Sequence, residues 1–142
     1  MWTCEQVVGA SLDVDEVIDL YRAAELTEDR PVDDVSRFAR MLAGSNLVVT
    51  ARTADGRLVG IVRAVTDGVR VTHVGDLAVD PARRRLGIGL DLIAAAQAAV
   101  PDTRIVLLAD APAAPYYPHI GFARHESAWT LPGTAPRPRP GR

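Results

Sequence analysis

Between Leu47 and Val79 the chain sets down three runs rich in Val, Ile, Leu and Thr, at 47–51, 58–65 and 69–79. The links are short, Ala54-Asp55-Gly56-Arg57 and Asp67-Gly68, and each holds an Asp-Gly pair. Asp-Gly supplies the positive φ of a tight turn, so these runs are expected to pair as an antiparallel meander. An apolar helical pattern follows from Ile88 to Ala99, with Leu90, Ile93, Ala94 and Gln97 on one stripe and Leu92, Ala96 and Val100 on another. Pro101-Asp102 stops it, and Arg104 to Leu108 reads as an apolar strand for the middle of a sheet. Strand, helix and strand in that order imply a right-handed crossover and a locally parallel pair.

Ahead of the meander, Trp2 to Val8 reads as a first strand. Asp13 is placed to cap a helix from Val14 to about Leu26, with Val14, Val17, Ile18, Tyr21 and Ala24 at helical spacing. Asp33 or Asp34 starts a second helix, with Val35, Phe38, Met41 and Leu42 on one face, and Gly44 ends it. Ala113 to Ile120 reads as a short, Pro-broken helical segment, and a last strand is expected within Phe122 to Leu131. The expected class is α+β, a mixed and mostly antiparallel sheet flanked by helices. It forms one domain over residues 1–131, with a Pro/Arg-rich tail at 132–142 expected to be disordered.

Composition narrows the function. The chain has 142 residues, a net charge of −2 and basic residues that are all Arg. That balance argues against nucleic acid as the main partner, since such binders usually carry a basic face. Cys4 is the only cysteine, which excludes an intramolecular disulfide and sets no metal site as the expectation. No segment has the roughly 18 to 20 apolar residues of a membrane helix, and the start lacks the order of a signal peptide. A cytoplasmic protein without membrane partners is the expectation.

The informative stretch is Asp76-Leu77-Ala78-Val79-Asp80-Pro81-Ala82-Arg83-Arg84-Arg85-Leu86-Gly87-Ile88-Gly89, a strand leading through a turn into a helix start. Glycines there let the backbone approach a ligand, and the helix N-terminus favours an anion. Three adjacent arginines add positive charge, so the turn suits a pyrophosphate. No Gly-Lys-Ser/Thr ending makes it a P-loop, and position 92 is Leu where a dinucleotide fingerprint has a third Gly.

These residues resemble the GNAT acetyltransferase family. Its Arg/Gln-x-x-Gly-x-Gly/Ala signature is matched by Arg84-x-x-Gly87-x-Gly89 after Val79-Asp80-Pro81. Its aromatic-Tyr-x-x-aliphatic-Gly-Phe run is matched by Tyr116-Tyr117-Pro118-His119-Ile120-Gly121-Phe122. The resemblance implies a strand that splays from its neighbour at a bulge and acetyl-CoA as acyl-donor substrate. The donor would lie along the backbone of Leu77, Ala78 and Val79, with its pyrophosphate at Arg84, Arg85, Leu86, Gly87, Ile88 and Gly89. It also implies transfer to an amine, small-molecule or protein, by direct attack, and allows a homodimer. A non-catalytic acyl-CoA-binding module on the same fold is the alternative.

An amine of pKa about 10 must lose a proton to attack, and the leaving thiolate benefits from gaining one. The resemblance places Tyr117 as that acid, while Tyr116 is expected to pack in the core. His73 and Asp76 are the candidate bases, each with a structural alternative as a polar strand residue or a carboxylate bonded to a nearby turn. By strand alternation 73, 75, 77 and 79 share a face, and Asp76 points the other way unless a bulge rotates it. His119 and His125 are weaker candidates. Asp110 stands where the family commonly has Asn, and Glu25, Glu28 and Asp29 follow the first helix as an acidic, exposed end.

Overall fold

The computed structural model describes residues 1–133, so the last nine residues of the expected tail lie outside the described residues. The chain groups into two compact units, 1–109 and 110–142. The first holds strand β1 (Trp2–Val7), helices α1 (Val14–Ala23) and α2 (Val35–Ala43), and strands β2 (Leu47–Thr53), β3 (Leu58–Thr66) and β4 (Val71–Val79). Helix α3 (Ile88–Ala99) and strand β5 (Arg104–Leu107) complete it, and the second unit holds helix α4 (Tyr116–His119).

Local chemistry sets these bounds. The Asp13 carboxylate accepts from the amides of Asp15 and Glu16, and the Asp34 carboxylate from the amide of Arg37. Each cap satisfies donors that the helix leaves unpaired at its start. Helix α1 stops at Ala23, short of the expected Leu26, because Glu25 takes a positive φ and turns the chain. Gly56 and Gly68 adopt the positive φ that the two Asp-Gly turns require.

The sheet runs in the order β1-β2-β3-β4-β5. The first four strands pair antiparallel, and β4 pairs with β5 in parallel, as the strand-helix-strand order implies. Two expectations are corrected. Among the described residues Arg104–Leu107 lies at the edge of the sheet and is only partly buried, because no strand forms within 122–131. That later segment breaks its apolar pattern with four polar residues, Arg124 to Ser127, and leaves Trp129 92% and Leu131 72% exposed.

One face of the sheet packs against α1 and α2. Val17, Leu20, Tyr21, Phe38 and Leu42 meet Val48, Leu58, Ile61 and Ala78 in one buried cluster. Tyr21 and Phe38 are fully buried and meet edge to face at 5.0 Å. Helix α3 buries Ile88, Leu92, Ile93 and Ala96, while Leu90, Ala94 and Gln97 face outward. Phe38→Ala should therefore cost about 3–5 kcal/mol through lost burial and a residual cavity. Urea unfolding measures it, and a loss under about 1 kcal/mol would place Phe38 outside the core.

Candidate functional site

The register of β4 is irregular where the chemistry was expected. Arg63 lies opposite Asp76 and Ala64 opposite Val74, so Gly75 is an extra residue, a β-bulge. Opposed residues share a face. Val65, Arg63 and Ile61 alternate onto one face of β3 and lie opposite His73, Asp76 and Ala78. The bulge thus turns Asp76 onto the face of His73, against plain alternation.

The bulge also marks where β4 loses a neighbour. Val71 to Val74 pair with Arg104 to Leu107, and among the described residues the strand from Gly75 to Val79 pairs with β3 alone. The amide of Asp80 donates to the Val59 carbonyl at 2.8 Å. Peptide direction alternates along a strand, so Ala78 faces β3, while Leu77 and Val79 turn their N–H and C=O toward the unpaired side. Ala78 is buried in the helix-facing core, which leaves Leu77 and Val79 as the open positions of the expected three.

Beyond Val79 the chain makes a 3-10 turn, Pro81–Arg83, and enters α3 through Gly87 at φ +100°. A side chain at Gly87 would meet open space, so its glycine answers to backbone conformation alone. The first bond of the helix runs from the Asp91 amide to the Gly87 carbonyl. The amides of Ile88, Gly89 and Leu90 precede that ladder and carry the positive end of the helix dipole. The arginines divide: Arg83 bonds the Asp80 carboxylate at 3.2 Å, which Arg57 also approaches at 3.5 Å. Arg84 and Arg85 stay exposed, with Arg85 at φ +65°. Leu86 is 60% exposed, and Ile88 and Gly89 are buried at the helix base.

Asp76 was expected as a base, and the structure gives it other partners. It is 3% exposed. Its Oδ2 accepts from the Tyr21 hydroxyl at 2.6 Å and Arg63 Nε at 2.6 Å, and its Oδ1 from Arg30 Nε at 2.8 Å. Burial acts to raise its pKa, but the Arg63 charge and the Tyr21, Arg63 and Arg30 hydrogen bonds outweigh it and hold the carboxyl below the usual range. A carboxylate so stabilised is a poor proton acceptor. Burial and the Asp76 charge push the Tyr21 hydroxyl well above its ordinary pKa, so it stays a donor. Sequence reasoning missed Tyr21, Arg30 and Arg63. Tyr21 sits on the apolar stripe of α1, and neither arginine carries a local signal.

His73 lies in the part of β4 that is paired on both sides, opposite Val65 and Val106, and its side chain is exposed. In the second unit Tyr117 is half-buried between two rings, meeting Tyr116 and Phe122 edge to face at 5.5 Å each. Its carbonyl accepts from the Ile120 and Phe122 amides, closing the turn through Gly121 at φ +98°. Tyr116, expected in the core, is the more exposed ring at 38%. His119 and His125 are exposed, and His125 Nδ1 accepts from the Ser127 amide.

The lowered pKa of Asp76 makes its contribution to stability pH-dependent. The folded value lies below the unfolded one, so that contribution is complete above about pH 4 and is lost as pH falls through the folded value. Asp76→Asn should destabilise the protein by about 3 kcal/mol at pH 7, because two guanidinium groups lose their counterion. The gap from wild type should narrow below about pH 4, and acid titration of unfolding free energy measures it. A gap independent of pH would exclude the ion pairs as its source.

The acetyltransferase (GNAT) domain model matches residues 22–131. No curated protein matches the chain. A GNAT-family acetyltransferase of Streptococcus pneumoniae superposes with a TM-score of 0.77 at 22% identity, covering 96% of this chain and all of that one. A probable acetyltransferase of Staphylococcus aureus gives 0.72 at 21% identity, covering 94% and 99%. An aminoglycoside acetyltransferase from an uncultured soil sample, in complex with sisomicin, gives 0.66 at 19% identity, covering 94% and 95%. Among the described residues no helix is long and apolar enough to cross a membrane. A domain match over residues 22–131 and this fold make the chain a member of the GNAT acetyltransferase family.

Proposed function

We propose that the chain transfers an acetyl group from acetyl-CoA to an amine by direct attack. One observation carries the reading: the half of β4 that lacks a second neighbour runs, within ten residues, into the amide-rich start of α3. A flexible arm with amide groups can pair with the first as another strand would, and a diphosphate suits the second. The peptide groups of Leu77 and Val79 would hold the arm. The amides from Arg85 to Gly89, with the Arg84 and Arg85 side chains, would hold the diphosphate. Acetyl-CoA would supply the activated acyl group and the thiolate leaving group.

The chain's own groups handle the protons. Of the two candidate bases His73 is the exposed one, and an imidazole can take the amine proton, directly or through water. Tyr117 is proposed as the proton donor to the thiolate, on its place in the Tyr-x-x-Ile-Gly-Phe run, since a phenol holds its proton at neutral pH. The acceptor is an amine, small-molecule or protein. The aminoglycoside acetyltransferase neighbour makes polyamines and aminoglycosides sensible first members of a panel.

Acetyl-CoA should raise the melting temperature and ATP should not, because only a ligand of the native state stabilises it. Reversal of both exposed arginines, Arg84→Glu with Arg85→Glu, should weaken CoA binding at least about tenfold by calorimetry. Unchanged affinity would move the diphosphate elsewhere. Tyr117→Phe should lower kcat for thiol release by about 100-fold with little change in the KM for acetyl-CoA. CoA binding without thiol release across the amine panel would favour a non-catalytic binding module.

A further inference from the structure

The side chains around Asp76 converge on one place, the junction between the doubly paired and singly paired halves of β4. Arg63 lies over Gly75 so closely that a Cβ there would collide with its Nη2. A side chain at position 75 would push that guanidinium away from the bulge, and the φ of Gly75 is not in the left-handed region. Arg30 Nη2 donates to the Gly75 carbonyl at 3.3 Å while its Nε holds Asp76 Oδ1. The same guanidinium bonds the Glu28 carbonyl at 2.9 Å, so the loop between α1 and α2 is fastened to the bulge. Arg63 Nη1 reaches Ser45 Oγ at 3.1 Å, and Ser45 bonds the Met41 carbonyl, which ties in the end of α2. Tyr21 completes the enclosure from α1.

We propose that Tyr21, Arg30 and Arg63, by enclosing Asp76, act as positioning residues that fix the bulge at Gly75 and thereby aim the peptide groups of Leu77 and Val79. A bulge costs a strand its ladder order, and its dihedrals are held only by what surrounds it. Here the bulge residue is covered from one side by Arg63 and bound at its carbonyl by Arg30. The next side chain, Asp76, anchors both. Every peptide after the bulge inherits its direction from that point. Arg30 spans a carboxylate and a carbonyl through two of its nitrogens, which an ammonium cannot reproduce. The effect on donor binding rests on the acetyl-CoA reading, whereas the effect on the strand does not.

The test compares Arg30→Lys, Arg30→Gln and the milder Tyr21→Phe with wild type. Glu16→Gln serves as a control, since it breaks the α1–β2 ion pair to Arg52 away from the bulge. Amide exchange is followed at Asp76 and Ala78, whose N–H groups pair with β3, together with CoA affinity and the KM values for acetyl-CoA and amine. Exchange at both amides should rise about tenfold in the two Arg30 variants, less in Tyr21→Phe, and stay at wild type in Glu16→Gln. The KM for acetyl-CoA should rise about tenfold in both Arg30 variants, with the amine KM unchanged. Wild-type exchange in Arg30→Lys and Arg30→Gln, or an equal rise in Glu16→Gln, would overturn the positioning role. A wild-type chain that binds no CoA would remove the donor reading, while the exchange results would still decide the role of the cage.

Discussion

A carboxylate buried beneath α1 and the loop that follows it organises this molecule. Taking the Asp76 charge out of water costs several kcal/mol unless its oxygens are well bonded. Three donors from three segments meet that cost: Tyr21 from α1, Arg30 from the loop that follows, and Arg63 from β3. The segments cannot shift independently without exposing or orphaning a charge. The ion pairs therefore act less as a source of net stability than as a device of specification, selecting one bulged register of β4.

The bulge makes the rest of the site intelligible. Without it, Asp76 would face away from His73, and the peptides of β4 would reach α3 in the opposite phase. With it, the strand that pairs on both sides through Val74 becomes one with a single neighbour from Gly75. The same strand delivers the chain to the start of α3, so strand edge and helix terminus are set by one stretch of backbone. Asp80 adjusts the turn between them. It caps the 3-10 turn through the Ala82 amide and draws Arg83 to itself, while Arg84 and Arg85 stay exposed.

Much of the fold was legible because its signals are local. Asp13 and Asp34 cap the helices they precede, the Asp-Gly turns join the strands that flank them, and α3 spans Ile88 to Ala99 as its pattern requires. Where sequence reasoning failed, the deciding term was not local. Arg104–Leu107 is apolar enough for a central strand, yet its place depends on whether a later segment pairs with it, and 122–131 forms no strand. Tyr116, expected in the core, is instead exposed, because its neighbour Tyr117 takes the place against Phe122.

The candidate site divides in the same way. The sequence by itself determined that a strand would lead through an Arg-rich turn into a glycine-containing helix start, because turn chemistry and helix periodicity act over a few residues. Tertiary structure alone decided what Asp76 does. Its partners lie 55, 46 and 13 residues away, and no local pattern records a bond made across such separations. A buried charge takes its role from the donors that the fold brings to it, and those donors come together only when helix, loop and strand close over the sheet.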